Sequence, residues 1–84
     1  MTRIAKLYAH VLANPRAELS FRDFEALILA AGFELQRQRG SHRAYRHAQS
    51  QRPLIVQPRG AKAKTYQVEQ FLDMLEEYRI SVSG

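Results

Sequence analysis

The 84-residue sequence predicts an α+β fold in two layers, with a three-stranded antiparallel sheet packed on helices. Three observations predict it. Apolar residues recur every three or four positions up to Gly32, alternate with polar ones through the middle, and regain the helical period after Thr65. The breaks between the alternating runs are short, which suits hairpins and rules out parallel crossovers. An apolar fraction of 45 % is ordinary globular material, too apolar for a disordered basic tail.

The elements follow in order. Ile4, Leu7, Tyr8, Val11 and Leu12 share one helical face, giving an amphipathic helix over residues 2–13 that Asn14-Pro15 stops. Ser20 caps a second helix, with Asp23 in its first turn. Its buried stripe is Phe24, Leu27, Ile28 and Ala31, and Gly32 suits its C-terminal cap. Phe33 and Leu35 then alternate with Glu34 and Gln36 as a half-buried strand. Gly40-Ser41 is a turn, residues 42–47 a second strand, and residues 48–52 another turn. Pro53 is tolerated only at a strand start, so the third strand is 54–57, closed by Pro58. A flexible basic loop over 59–64 leads to Thr65, which caps a last helix. Val68, Phe71, Leu72, Leu75 and Tyr78 form the stripe of that helix, flanked by Met74. With no repeat and no linker, residues 1–84 read as one domain. Nothing is left over to cover the second face of the sheet.

Charge is segregated. From residue 35 to residue 68 there is no Asp or Glu, yet Arg37, Arg39, Arg43, Arg46, Arg52, Arg59, Lys62 and Lys64 all fall there. Together with the net charge of +5, this reads as one positive surface for a polyanion, most simply nucleic acid. An acidic protein partner would satisfy the same charge. No helix is rich enough in arginine to read a DNA major groove. The lack of cysteine excludes disulfides and thiolate metal sites and points to a reducing, cytoplasmic home. No apolar run approaches the ~20 residues of a membrane span, and no secretory leader pattern is present.

His42 is the sharpest chemical candidate, because it follows the Gly40-Ser41 turn among Arg37, Arg39, Arg43 and Arg46. Imidazole both takes up and releases protons near neutrality, so beside an RNA phosphate it can activate a 2′-hydroxyl or protonate a departing 5′-oxygen. The arginines would hold the phosphate, Gly40 would let the backbone approach, and Ser41 would donate to the same group. The bland alternative is a polar residue at a strand start. If Tyr45 is core, strand parity turns His42 to the open face and His47 to the helices or a sheet edge. His47 then has a structural role or an auxiliary one, and His10 is a surface or packing residue. Arg59, Lys62 and Lys64 suit phosphate contacts, with helix N-terminal amides nearby, or are simply solvated. No residue set has metal-ligand spacing, so no metal and no cofactor are expected.

Ala31-Gly32-Phe33 at a helix end, then Arg37-Gln38-Arg39-Gly40-Ser41-His42-Arg43-Ala44-Tyr45-Arg46-His47, then Leu54-Ile55-Val56-Gln57-Pro58, a basic loop and a final helix resemble the HicA family of toxin–antitoxin ribonucleases. The resemblance covers about residues 20–78. It implies a fold similar to double-stranded-RNA-binding domains, cleavage of mRNA and silencing by a cognate HicB-like antitoxin. It also implies His42 as the catalytic histidine, with Gly40 and Ser41 shaping the active surface. The helix over 2–13 is extra to the family pattern, and the 48–52 turn lacks the compact glycine turn common there. The expectation is a metal-independent endoribonuclease that inhibits translation. A non-catalytic RNA-binding module and a basic protein-interaction domain are the alternatives.

Overall fold

Local capping and period set the elements of the computed structural model, which describes residues 2–83. The Thr2 hydroxyl accepts from the Ala5 N–H at 3.1 Å and starts α1 (Arg3–Ala13). Ser20 does the same for Asp23 at 3.1 Å and starts α2 (Phe21–Ala30), as expected of a short polar cap. Gly32, at φ +92°, ends α2 in a Schellman motif. In it the Gly32 N–H bonds to the Leu29 carbonyl and the Phe33 N–H to that of Ile28.

The chain then extends as β1 (Glu34–Arg39), β2 (His42–Arg46) and β3 (Leu54–Val56), and closes with α3 (Thr65–Glu77). Thr65 is not the cap of α3 but its first residue. Lys64 holds the cap position and makes no side-chain capping bond, because an ammonium carries only donors and cannot accept from a backbone N–H. The C-terminal end of α3 repeats the motif of α2 with a non-glycine: Arg79 sits at φ 53°, and the Ile80 N–H returns to the Leu75 carbonyl.

The sheet is an antiparallel meander in the order β1-β2-β3. Its inner face meets the helices through Phe33, Tyr45, Leu54 and Val56, all at most 2 % exposed. Phe24, Leu27, Ile28, Phe71 and Met74 complete this core without measurable exposure. Burying each such side chain contributes about 1.5–3 kcal/mol before chain entropy is counted. Met74 therefore belongs to the centre of the α3 stripe, whereas Leu72 is only partly buried. Leu12 and Leu35, expected inside, are about half exposed because α1 packs on α2 at the margin of the helix layer and β1 is an edge strand. The result is a two-layer, double-stranded-RNA-binding-domain-like α+β fold with one helix added in front.

Candidate functional site

One irregularity decides what the open face displays. Strict alternation along β1 would place Phe33, Leu35, Arg37 and Arg39 on the same side. Instead Leu35 pairs with Tyr45 and Arg37 with Ala44, so Gln36 is an extra residue in a β-bulge. The bulge keeps Leu35 on the side of the helices and turns Arg37 and Arg39 to the side of Ala44 and His42. Arg39 lies directly opposite His42, and Glu34 opposite Arg46.

The β1–β2 turn is two residues long, with Gly40 first at φ +60°, a conformation that disfavours any side chain. The Gln38 amide braces it by donating to the Gly40 carbonyl at 3.3 Å. His42 follows, exposed, in a depression of about 260 Å³ lined by Arg37, Arg39, His42, Arg43, Ala44 and Ile55. A second depression of about 380 Å³ shares Arg37, Ala44 and Ile55 and runs on to Gln36, Arg46 and Pro53. The two form a trough along the uncovered face with an apolar floor and arginines around it. A separate cavity of about 520 Å³ lies away from it, between the α1–α2 connection and Glu69, Leu72 and Asp73 of α3.

A polar chain beside the trough is not visible in any local motif. The Gln57 Nε2 group donates to Ser41 Oγ, and Gln57 Oε1 accepts from Lys64 Nζ, both at 3.0 Å. The backbone N–H of Gln57 donates to Oε1 of the buried Gln67 at 3.0 Å, and Gln67 Nε2 donates to the Tyr66 hydroxyl at 3.1 Å. Lys64 and Ser41 are thus joined through one glutamine side chain. The signal missed in the sequence was a glutamine at the end of an apolar strand and another on the inner face of an apolar helix, both positions where a lone amide needs a partner.

Arg43 is placed differently from the surface reading. Its guanidinium turns to the helix layer, binds Glu25 of α2 and lies 5.1 Å from the centre of the Phe21 ring. The Tyr45 hydroxyl donates to the same Glu25 oxygen. These bonds, the tyrosine's first, hold the Glu25 carboxyl below its ordinary range. Burial, and then the bond to Glu25, push the Tyr45 phenol up to about 12. Arg43 is raised by its contacts with Tyr45 and Glu25 and stays charged. Its shared parity with Tyr45 was the available clue.

The 59–64 segment carries more backbone pairing than a plain basic loop. Arg59 and Lys62 exchange backbone hydrogen bonds of 2.8 and 2.9 Å around Gly60, at φ +59°. Ala61 and Ala63 are stitched to Phe21 and Leu19, each at 2.8 Å. Lys62 reaches Glu18 at 3.5 Å, so it and Arg59 sit on a small hairpin beside the start of α2, and only Lys64 is tied to the Ser41 turn. His47 fills the side expected from parity. Its Nε2 meets the Ala31 carbonyl at 3.0 Å, its Nδ1 accepts from the Gln49 N–H at 3.0 Å, and its ring packs on Phe33. With both nitrogens used it locks the 48–50 turn to the end of α2. His10 is exposed on α1.

Among the described residues no group of three His, Cys, Asp or Glu is arranged to hold a metal ion, and no helix is long and apolar enough to cross a membrane. A family model described as HicA toxin of bacterial toxin-antitoxin matches residues 21–76, about two thirds of the chain. The match spans α2 through nearly all of α3 and leaves α1 outside. No curated protein and no solved structure gives a significant match.

Proposed function

The chain belongs to the HicA family of bacterial toxin–antitoxin toxins, generally ribonucleases, and on that premise we propose that it is a metal-independent endoribonuclease that cuts mRNA and so stops translation in the cytoplasm. The observation that carries the reading is His42 at the rim of an arginine-lined trough on an uncovered sheet face. An RNA strand laid in the trough meets Arg37, Arg39 and Arg46 with its phosphates. His42 takes the proton of a ribose 2′-hydroxyl, the 2′-oxygen bonds to the adjacent phosphorus, and the bond from phosphorus to the 5′-oxygen breaks. The departing oxygen receives a proton from water or from the imidazolium. The products are a 2′,3′-cyclic phosphate and a 5′-hydroxyl. Arg37 and Arg39 stabilise the charge on the phosphoryl oxygens in the transition state, and Ser41, held by Gln57, borders the same phosphate.

The test is cleavage of RNA by wild-type and His42→Ala protein in chelator, with the fragment ends identified. A loss of about 10²–10⁴-fold is expected, with folding and RNA affinity retained. Unchanged cleavage by the variant would overturn the assignment. RNA left intact by the wild type but bound in a salt-sensitive way would support a non-catalytic RNA-binding module instead.

Membership of a toxin–antitoxin family implies an antitoxin partner. We assign that partner, a HicB-like protein, to the trough, where it would exclude RNA from His42. A complex that leaves the trough open would argue against occlusion.

A further inference from the structure

Tyr66 stands out among the aromatic residues. It is 63 % exposed, whereas every other Phe and Tyr of the chain is buried or packed against the core. Single exposed rings are common on protein surfaces, so exposure alone carries little. The anchoring is what matters. The Tyr66 hydroxyl accepts from Gln67 Nε2 at 3.1 Å, and Gln67 is itself only 5 % exposed and bonded to the Gln57 backbone. The side chain of Gln57 in turn holds Lys64 and Ser41. A flat aromatic face, a cation and the turn that delivers His42 are therefore fixed relative to one another by two glutamines.

This is the chemistry of a nucleotide clamp, a ring for the base beside an ammonium for the phosphate. Every base has a π-face, so such a ring takes any unpaired base. A duplex keeps its bases stacked inside and offers a ring nothing but backbone. Resting on the ribonuclease reading above, we infer that Tyr66 is a stacking platform for an unpaired base next to the phosphate at His42, so that the substrate is single-stranded RNA. Tyr66 touches the base and not the reacting atoms. It sets affinity and substrate class, and Gln57 and Gln67 position it.

Binding separates this from the cleavage chemistry. On a His42→Ala background, in chelator, dissociation constants are measured for a single-stranded RNA decamer, the same decamer with one abasic nucleotide, and the corresponding duplex. Adding Tyr66→Ala is expected to weaken single-strand binding about tenfold and to leave duplex binding within about twofold. Tyr66→Phe, which keeps the ring but loses the bond from Gln67, is expected to restore most but not all of the single-strand affinity. An abasic nucleotide at the stacked position is expected to weaken binding by the His42→Ala protein but not by the Tyr66→Ala double variant. Equal losses on both RNAs, no loss at all, or a stronger grip on duplex would overturn the platform while leaving the ribonuclease reading intact. Absence of any RNA binding or wild-type cleavage would overturn the ribonuclease reading, and the platform with it.

Discussion

Glu25 is where one side chain decides both packing and pH behaviour. One of its oxygens takes the Tyr45 hydroxyl and the Arg43 guanidinium together, which secures α2 to the middle strand. Hydrogen bonds to a charged group contribute about 1.5–3 kcal/mol, so Glu25→Gln is expected to destabilise the fold by roughly that amount at neutral pH. The pH profile follows from the lowered carboxyl. An unfolded chain binds a proton at Glu25 near the ordinary value of about 4.3, while the folded chain resists until a lower pH. The contribution is therefore present above about pH 4.3 and lost as the pH falls through the folded value. Urea midpoints of wild type and Glu25→Gln are expected to converge as the pH is lowered from 6 toward 2, and parallel curves would refute the linkage. On the alkaline side the phenol raised to about 12 works the other way, and stability falls as the pH rises from about 10 to 12. None of this could be read from Arg43 by itself, which looks like one more phosphate cation until its partner 18 residues earlier is known.

Strands carry the arrangement that the periodicity left unresolved. Helices, strand order and the hairpin at Gly40-Ser41 were legible because apolar spacing and turn residues agree with each other. The bulge was not, although the change from Phe33 and Leu35 to Arg37 and Arg39 at one parity is its trace in the sequence. The stitched 59–63 hairpin was also hidden, because its partners Leu19 and Phe21 are distant in sequence. The bulge makes an unusual prediction. Removing Gln36 lets β1 close as a regular ladder with Arg37 and Arg39 on their present side, so cleavage is expected to stay within about threefold of wild type. Removing Gln38 shifts Arg37 by one position against β2, opposite Arg43, and is expected to reduce cleavage at least about tenfold. Equal activity of the two deletions would show that the faces of β1 do not matter.

Over the whole molecule, the acid-free middle overstates the surface available to RNA. Among the described residues, ion pairs engage Arg3, Arg16, Arg43, Arg52 and Lys62, and three of these belong to the cations of residues 35–68. Exposed pairs contribute little stability, yet they neutralise the helix side and leave the sheet side positive. Arg37, Arg39 and Arg46 line the trough, and Lys64 stands at its Ser41 end. Each phosphate neutralised on a single strand contributes about −0.7 to the slope of log affinity against log salt. Four contacts give about −3, a loss of roughly 50-fold between 50 and 200 mM salt, whereas all eight middle cations would give about −6. Anisotropy titrations of single-stranded RNA with His42→Ala protein distinguish the two. A slope near −3 that flattens by about 0.7 in Arg46→Ala is the expected result, because the RNA then follows the trough alone. A slope near −4 would mean that the strand also crosses the Arg59–Lys62 hairpin toward α2, one near −6 that it reaches the paired Arg43 and Arg52 as well, and in either case the path along the open face would have to be redrawn.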